Sequence, residues 1–177
     1  MMESLTLRAA LRELADLKDR SVSAVRASSD ESAITIHFAP SNEGIVLDMA
    51  AGRPGLYRAG APGGPLGGSK RGDTSAGPAD SSGRLTALAG LAEEKLRGAR
   101  AISFEQKGLD RVAILTFARR DRFGDPLPLT IVVELFGAWG NIILIDGDLA
   151  AGRILDRLRL DNRRQGARAL GRGRAYE

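Results

Sequence analysis

The most suggestive chemistry in this sequence sits in four residues, Gly108-Leu109-Asp110-Arg111. They read as a short turn joining two strands, with an acid and an arginine side by side. A guanidinium there can fork onto a phosphate or a base. The neighbouring carboxylate can accept a hydrogen bond from a base edge or orient the arginine. The plainer alternative is a tight turn with a local surface ion pair, worth at most about 1 kcal/mol. Spacing alone favours that alternative.

Other candidates are weaker. Trp139, the sole tryptophan, lies in the glycine-flanked stretch Gly137-Ala138-Trp139-Gly140-Asn141. It can cap the core or offer a stacking platform to a base, and base rates favour the core. Asp146 with Asp148 and Asp121 with Asp125 are paired carboxylates, but all four fall in turns. Aspartates there ordinarily accept backbone hydrogen bonds. His37, the only histidine, reads as a satisfied strand residue facing away from Ile36 and Phe38. Ser103, Thr116 and Thr130 lie in strands with no histidine nearby in sequence, so no nucleophile, base and orienter assemble. With no cysteine at all, disulfides, thiolate metal sites and a cysteine nucleophile are excluded. We therefore expect no catalytic residues, metal, cofactor or small-molecule substrate.

The charge points to an anionic partner. The chain carries a net +4 with a pI near 9.9. Residues 153–177 hold eight arginines against three acids. Arginine forks match phosphate oxygens and stack on bases, and RNA is the usual partner of such an end. A solvated tail in an arginine-biased genome is the bland alternative. No apolar run reaches the roughly 20 residues that span a bilayer. The start lacks the basic and apolar regions of a secretory signal, so a cytoplasmic location away from membranes is expected.

These residues need elements to position them. Leu7, Ala10, Leu11, Leu14 and Leu17 recur at helical spacing and predict a helix over 5–17, with Ser4 or Thr6 as its cap. Strand patterns follow at 21–27, 32–38 and 44–49, the second with Ile34, Ile36 and Phe38 on one face. Residues 60–83 hold eight glycines and three prolines, a composition that predicts a flexible loop. Its glycines do not make a phosphate-binding loop, because G-K-[ST] is absent and no strand leads in. A second helix is predicted over 85–97, ended by Gly98. Strands follow at 101–106, 111–119, 129–136 and 141–146, with a fifth at 153–158. The strand 141–146 is apolar on both faces and needs cover on both sides. The sum is an α+β fold: two antiparallel β meanders forming a curved sheet or sandwich, with two covering helices, in one domain over 1–177. A basic C-terminal tail is expected from about 160.

Three blocks carry a resemblance: EKLRGARAISFEQKGLDRV (94–112), IVVELFGAWGNIILID (131–146) and GRILDRLR (152–159). In that order and spacing, with LTLRAALREL at the start, they resemble the N-terminal domain of the NFACT family of ribosome quality-control factors. Bacterial members are often labelled fibronectin-binding protein A. The resemblance implies a fold similar to the N-terminal domain of formamidopyrimidine DNA glycosylases. It also implies a non-catalytic, RNA-binding role. Full-length members bind the large ribosomal subunit carrying peptidyl-tRNA, recruit charged tRNA and support C-terminal tailing of nascent chains. The family's aspartate–arginine pair engages tRNA, and that role carries over to Asp110 and Arg111. Asn141, Arg157, Arg159, Arg163 and Arg164 are further candidate RNA contacts.

The chain departs from the family pattern at 137–141, where arginine, histidine and serine are absent. Glu93, Glu94 and Lys95 replace a basic run, and 60–83 replaces a more ordered segment. Altered tRNA contacts are therefore expected. The family continues beyond this length into further domains, which leaves a fragment, a stand-alone domain or a diverged paralogue open. The alternatives are a protein-interaction module without tRNA binding, and a glycosylase-like enzyme. The latter lacks the N-terminal Pro-Glu its chemistry needs.

Overall fold

The computed structural model describes residues 3–41, 43–50, 53–60, 83–159 and 171–176. The expected loop at 60–83 lies, apart from its two end glycines, outside the described residues. Residues 160–170 of the expected tail lie outside them too.

The α+β reading holds. Helix α1 (Ser4–Glu13) precedes strands β1 (Val22–Ala27), β2 (Ala33–Phe38), β3 (Gly44–Asp48) and β4 (Gly55–Ala59). Helix α2 (Arg84–Leu96) precedes β5 (Arg100–Gln106), β6 (Val112–Arg120), β7 (Pro126–Glu134), β8 (Asn141–Asp146) and β9 (Arg153–Arg157). Each run of strands is an antiparallel meander: four strands in the order β1 to β4, five in the order β5 to β9. Strand β4 is not evident in the sequence. Its five residues bury only Leu56, and its pairing comes from β3. The predicted first helix is α1 followed by a separate 3-10 turn, Ala15–Leu17.

One hydrophobic core fills the space between the sheets and helices. Leu7, Leu11, Leu14 and Leu17 enter from the first helical segment, and Leu85, Leu88 and Leu96 from α2. Ile34, Ile36 and Phe38 enter from β2, and Leu115 and Phe117 from β6. Phe38, Phe104 and Phe117 meet edge to face, with centroids 6.5 and 6.3 Å apart. The outer face of the five-stranded sheet is buried as well. Val112, Val132, Ile143, Ile145 and Ile154 pack there with Tyr176. The second cover that β8 required thus includes the C-terminal segment. Ile154 donates to the Arg174 carbonyl at 2.8 Å, and Gly173 donates to that of Ile154 at 2.8 Å.

The helices are not capped by their own side chains. Ser4 spends its hydroxyl elsewhere, on the carbonyl of Leu109 at 2.6 Å. Helix α2 is capped by Glu31, from the β1–β2 turn. That carboxylate accepts from the Gly83 amide at 2.7 Å and the Thr86 hydroxyl at 2.8 Å. These bonds, the Gly83 amide foremost, hold Glu31 below the usual carboxylate range. Past the helix, Gly98 takes φ +77°, the left-handed turn expected of a glycine at this position.

A charge network ties the 3-10 turn to the first sheet. Arg58 grips both carboxylate oxygens of Asp16, at 2.7 and 2.8 Å, and also bonds Glu43. Arg20 and Ser41 bond the same Glu43 carboxylate, at 2.6 and 2.9 Å. Arg58, then Ser41 and Arg20, lower Glu43 from 4.5 to about 2. A depressed carboxylate contributes stability above its unfolded value and loses it as pH falls through the folded value. The melting temperature is therefore expected to fall as pH drops from about 4.5 towards about 2. Glu43→Gln is expected to flatten that decline, measured by circular dichroism across the window. An unchanged pH profile in the variant counts against the network.

Candidate nucleic-acid interface

The turn at 107–111 is built to hold its shape. Gly108 takes φ +59°, which a β-carbon would strain. The Asp110 amide donates to the Lys107 carbonyl at 3.0 Å. Gln106 closes the turn from inside, donating to the Asp110 carbonyl and the Ser4 hydroxyl, both at 2.8 Å. From α1, Ser4 bonds the Leu109 carbonyl and Arg8 reaches that of Gly108 at 3.4 Å. Three successive carbonyls are thereby tied to side chains, which fixes the backbone beneath Asp110 and Arg111. The Asp110 side chain is exposed and that of Arg111 half-buried. The Arg111 guanidinium lies over Phe136, 5.7 Å from the ring centroid, within range of a cation–π attraction.

Antiparallel pairing brings the other candidates to the same end of the sheet. Val112 lies opposite Glu134, and Glu134 opposite Asn141. The Leu135 amide donates to the Arg111 carbonyl at 2.8 Å, and that of Leu158 to Ile142 at 2.8 Å. Arg111 and Arg159 therefore flank one edge, three strand spacings apart, roughly 14 Å. Between them runs the 3-10 turn Gly137–Trp139, held by amides of Trp139 to Phe136 and Gly140 to Gly137.

The candidates part company here. Asn141 is only 5% exposed, and its side-chain oxygen accepts from the Arg159 amide at 2.9 Å. It lies beneath the surface and positions Arg159. Arg157 is only 8% exposed, and its carbonyl accepts from Arg84 at 2.8 Å. Sequence reasoning put both on the surface. It saw a polar strand end and a basic tail, but not the neighbours that cover them. Arg159 is half-buried and donates from Nε to the Gly140 carbonyl at 2.7 Å. Burial pushes its guanidinium below the usual arginine value. Arg163 and Arg164 lie outside the described residues. Trp139 reverses its expectation: it is 46% exposed and does not cap the core.

Sequence reasoning also missed Lys107 and Phe136. Lys107 is exposed and sits 5.3 Å from the Tyr176 ring, whose hydroxyl donates to buried Glu134 at 2.7 Å. The adjoining K-G-L-D-R and E-L-F runs were the available signal, but only pairing shows that they meet. Two turn aspartates behave as expected of turn residues. Asp121 accepts from the amides of Phe123 and Asp125, and Asp148 from those of Ala150 and Ala151. No helix is long and apolar enough to cross a membrane among the described residues.

The sequence model for NFACT N-terminal and middle domains matches residues 74–177. A search of curated proteins finds no match. Among solved structures, the fold is similar to the N-terminal part of a fibronectin/fibrinogen-binding protein from Streptococcus suis, with TM-score 0.74 at 18% identity. It is also similar to the N-terminal domain of the fibronectin-binding protein PavA from Streptococcus pneumoniae, with TM-score 0.71 at 19% identity. A third is the fibrinogen binding protein from Staphylococcus aureus, with TM-score 0.68 at 19% identity. The matches cover 100%, 100% and 92% of this chain, but only 61%, 64% and 52% of those chains.

Gln106 is the brace of the turn. Gln106→Ala is expected to destabilise the domain by about 0.5–1.5 kcal/mol, since the exposed Asp110 carbonyl and the part-buried Ser4 hydroxyl lose their donor. Amide exchange at Asp110 should accelerate more than in β8. Chemical denaturation and hydrogen exchange read the two effects. Unchanged exchange at Asp110 shows that the turn holds itself.

Proposed function

The chain belongs to the NFACT N-terminal family, and on that premise we propose that it is a non-catalytic RNA-binding domain that engages tRNA. Asp110 and Arg111 make the contact. Within a longer protein carrying further domains, the same contact serves on stalled large ribosomal subunits with peptidyl-tRNA and supports C-terminal tailing.

One observation carries the reading. The acid–arginine couple is reachable from outside, on a backbone already fixed by Ser4, Arg8 and Gln106. A couple carried on a rigid backbone loses little freedom on binding. The Arg111 guanidinium lies over Phe136, while phosphate oxygens are bonded through guanidinium N–H groups. The two uses are compatible in one side chain. Lys107 and Arg159 extend positive charge along the same edge.

The purified chain is expected to bind tRNA with an affinity that falls steeply with salt, because counterions are released from each neutralised phosphate. Arg111→Ala should weaken binding about tenfold and reduce the salt slope by about one, with the melting temperature preserved. Fluorescence anisotropy with labelled tRNA from low to physiological salt measures this. A flat salt dependence argues against the reading. So does an Arg111→Ala domain that melts early yet binds normally, since the couple is then structural.

A further inference from the structure

We propose that Trp139 is a stacking platform for an unpaired base, so that the RNA this edge accepts is single-stranded at the contact. The inference rests on the tRNA reading and deepens it. Trp139 is 46% exposed, whereas Phe38 and Phe117 are fully buried. Its exposure is not the looseness of a floppy loop. The turn that carries it is closed by two backbone hydrogen bonds. Its last glycine, Gly140, is wedged into the fold. A β-carbon there would stand 3.1 Å from the Pro54 β-carbon, 3.2 Å from the Met49 sulfur and 3.3 Å from the Glu134 carbonyl. Gly140 is buried and closely packed, which anchors the turn on its inner side.

Its neighbours select the partner. Arg159 bonds the carbonyl of the residue next to Trp139, and Asn141 fixes the Arg159 backbone. At the other end Arg111 sits over Phe136, whose carbonyl accepts from the Trp139 amide at 3.1 Å. The one buried carboxylate in this stretch, Glu134, is bonded by Tyr176. An indole set between two arginines suits a chain that alternates phosphates with flat rings. Cations track the backbone and the aromatic face takes a base, whichever base it is. Paired bases inside a duplex have both faces occupied by neighbours in the stack, so the body of a duplex cannot use the platform, whereas loops and single-stranded ends can.

Because Trp139 is the only tryptophan, intrinsic emission reports this position alone. We expect tRNA and a 12-nucleotide single-stranded RNA to quench the emission saturably. A blunt duplex of the same sequence should quench far less, since only its two terminal pairs expose a face. Trp139→Ala should weaken single-strand binding about tenfold, with Trp139→Phe in between, and both should fold as wild type by circular dichroism. If tRNA binds in a salt-dependent, Arg111-dependent way while emission stays constant and Trp139→Ala binds normally, the platform is wrong and the tRNA reading stands. Equal quenching by the duplex also overturns the platform. Absence of any RNA binding at low salt overturns both.

Discussion

The fold depends on a seam where two sheets exchange backbone hydrogen bonds. Ser21 bridges Arg100. Around it, Asp19 donates to Ala101, Ala101 to Arg20, Val22 to Ala99 and Gly98 to Val22, at 2.8–3.0 Å. Ala99 and Ala101 are both fully buried, and side chains this small let the segments approach beneath the first helical segment. Helix α2 is fixed to the same place. Glu31 caps its start, Glu93 accepts from the Val25 amide near its end, and Gly98 turns the chain into the seam. The two sheets remain distinct, and the seam joins them beside their edge strands β1 and β5. With it, α1 lies across β4 and β5, which brings Ser4 to the 107–111 turn.

From the seam the paired strands run to the far end of the second sheet. An antiparallel meander delivers the start of β6, the end of β7, the start of β8 and the end of β9 to one edge. Surface residues there inherit the rigidity of paired strands. Buried polar groups do the remaining alignment. Asn141 sets Arg159, and Tyr176 takes the Glu134 carboxylate. Asp156 binds Arg172 at 2.9 Å and Arg84 at 3.4 Å. Burial pushes Asp156 up, but the bonds to Arg172 and the Arg157 backbone outweigh it and leave it lowered. Burial without partners would be costly for each of these groups, so their satisfaction is what allows the edge to be built.

Much of this was legible because it depends on period. Leu7, Leu11, Leu14 and Leu17 repeat at helical spacing and all are buried; Ile34, Ile36 and Phe38 alternate and all are buried. What period cannot carry is partnership across the chain. Ser4 reads as a cap, yet its acceptor is 105 residues away. Strand β4 is too short and polar to announce itself, and Arg58 is held there by Asp16 and Glu43. Base rates put the lone tryptophan inside, but the glycine that follows it is packed closely against Pro54, Met49 and Glu134, and the tryptophan itself is exposed. Asn141 and Arg157 were placed by residue type, and type does not reveal what covers a side chain.

Magnitudes separate the two readings of Asp110 and Arg111. An exposed acid and base adjacent in sequence exchange at most about 1 kcal/mol, too little to justify tying three consecutive carbonyls of the same turn. A charge-assisted bond to an anion contributes about 1.5–3 kcal/mol when the donor is already placed. That gain is kept only if ordering the turn is not charged against it at the moment of binding. Ser4, Arg8 and Gln106 meet that condition in advance. The contact of the Arg111 guanidinium with Phe136 limits the rotamers of that side chain as well. A turn that only connects β5 to β6 can satisfy its carbonyls in the same way; under the proposed function the same braces hold the guanidinium in place before a partner arrives.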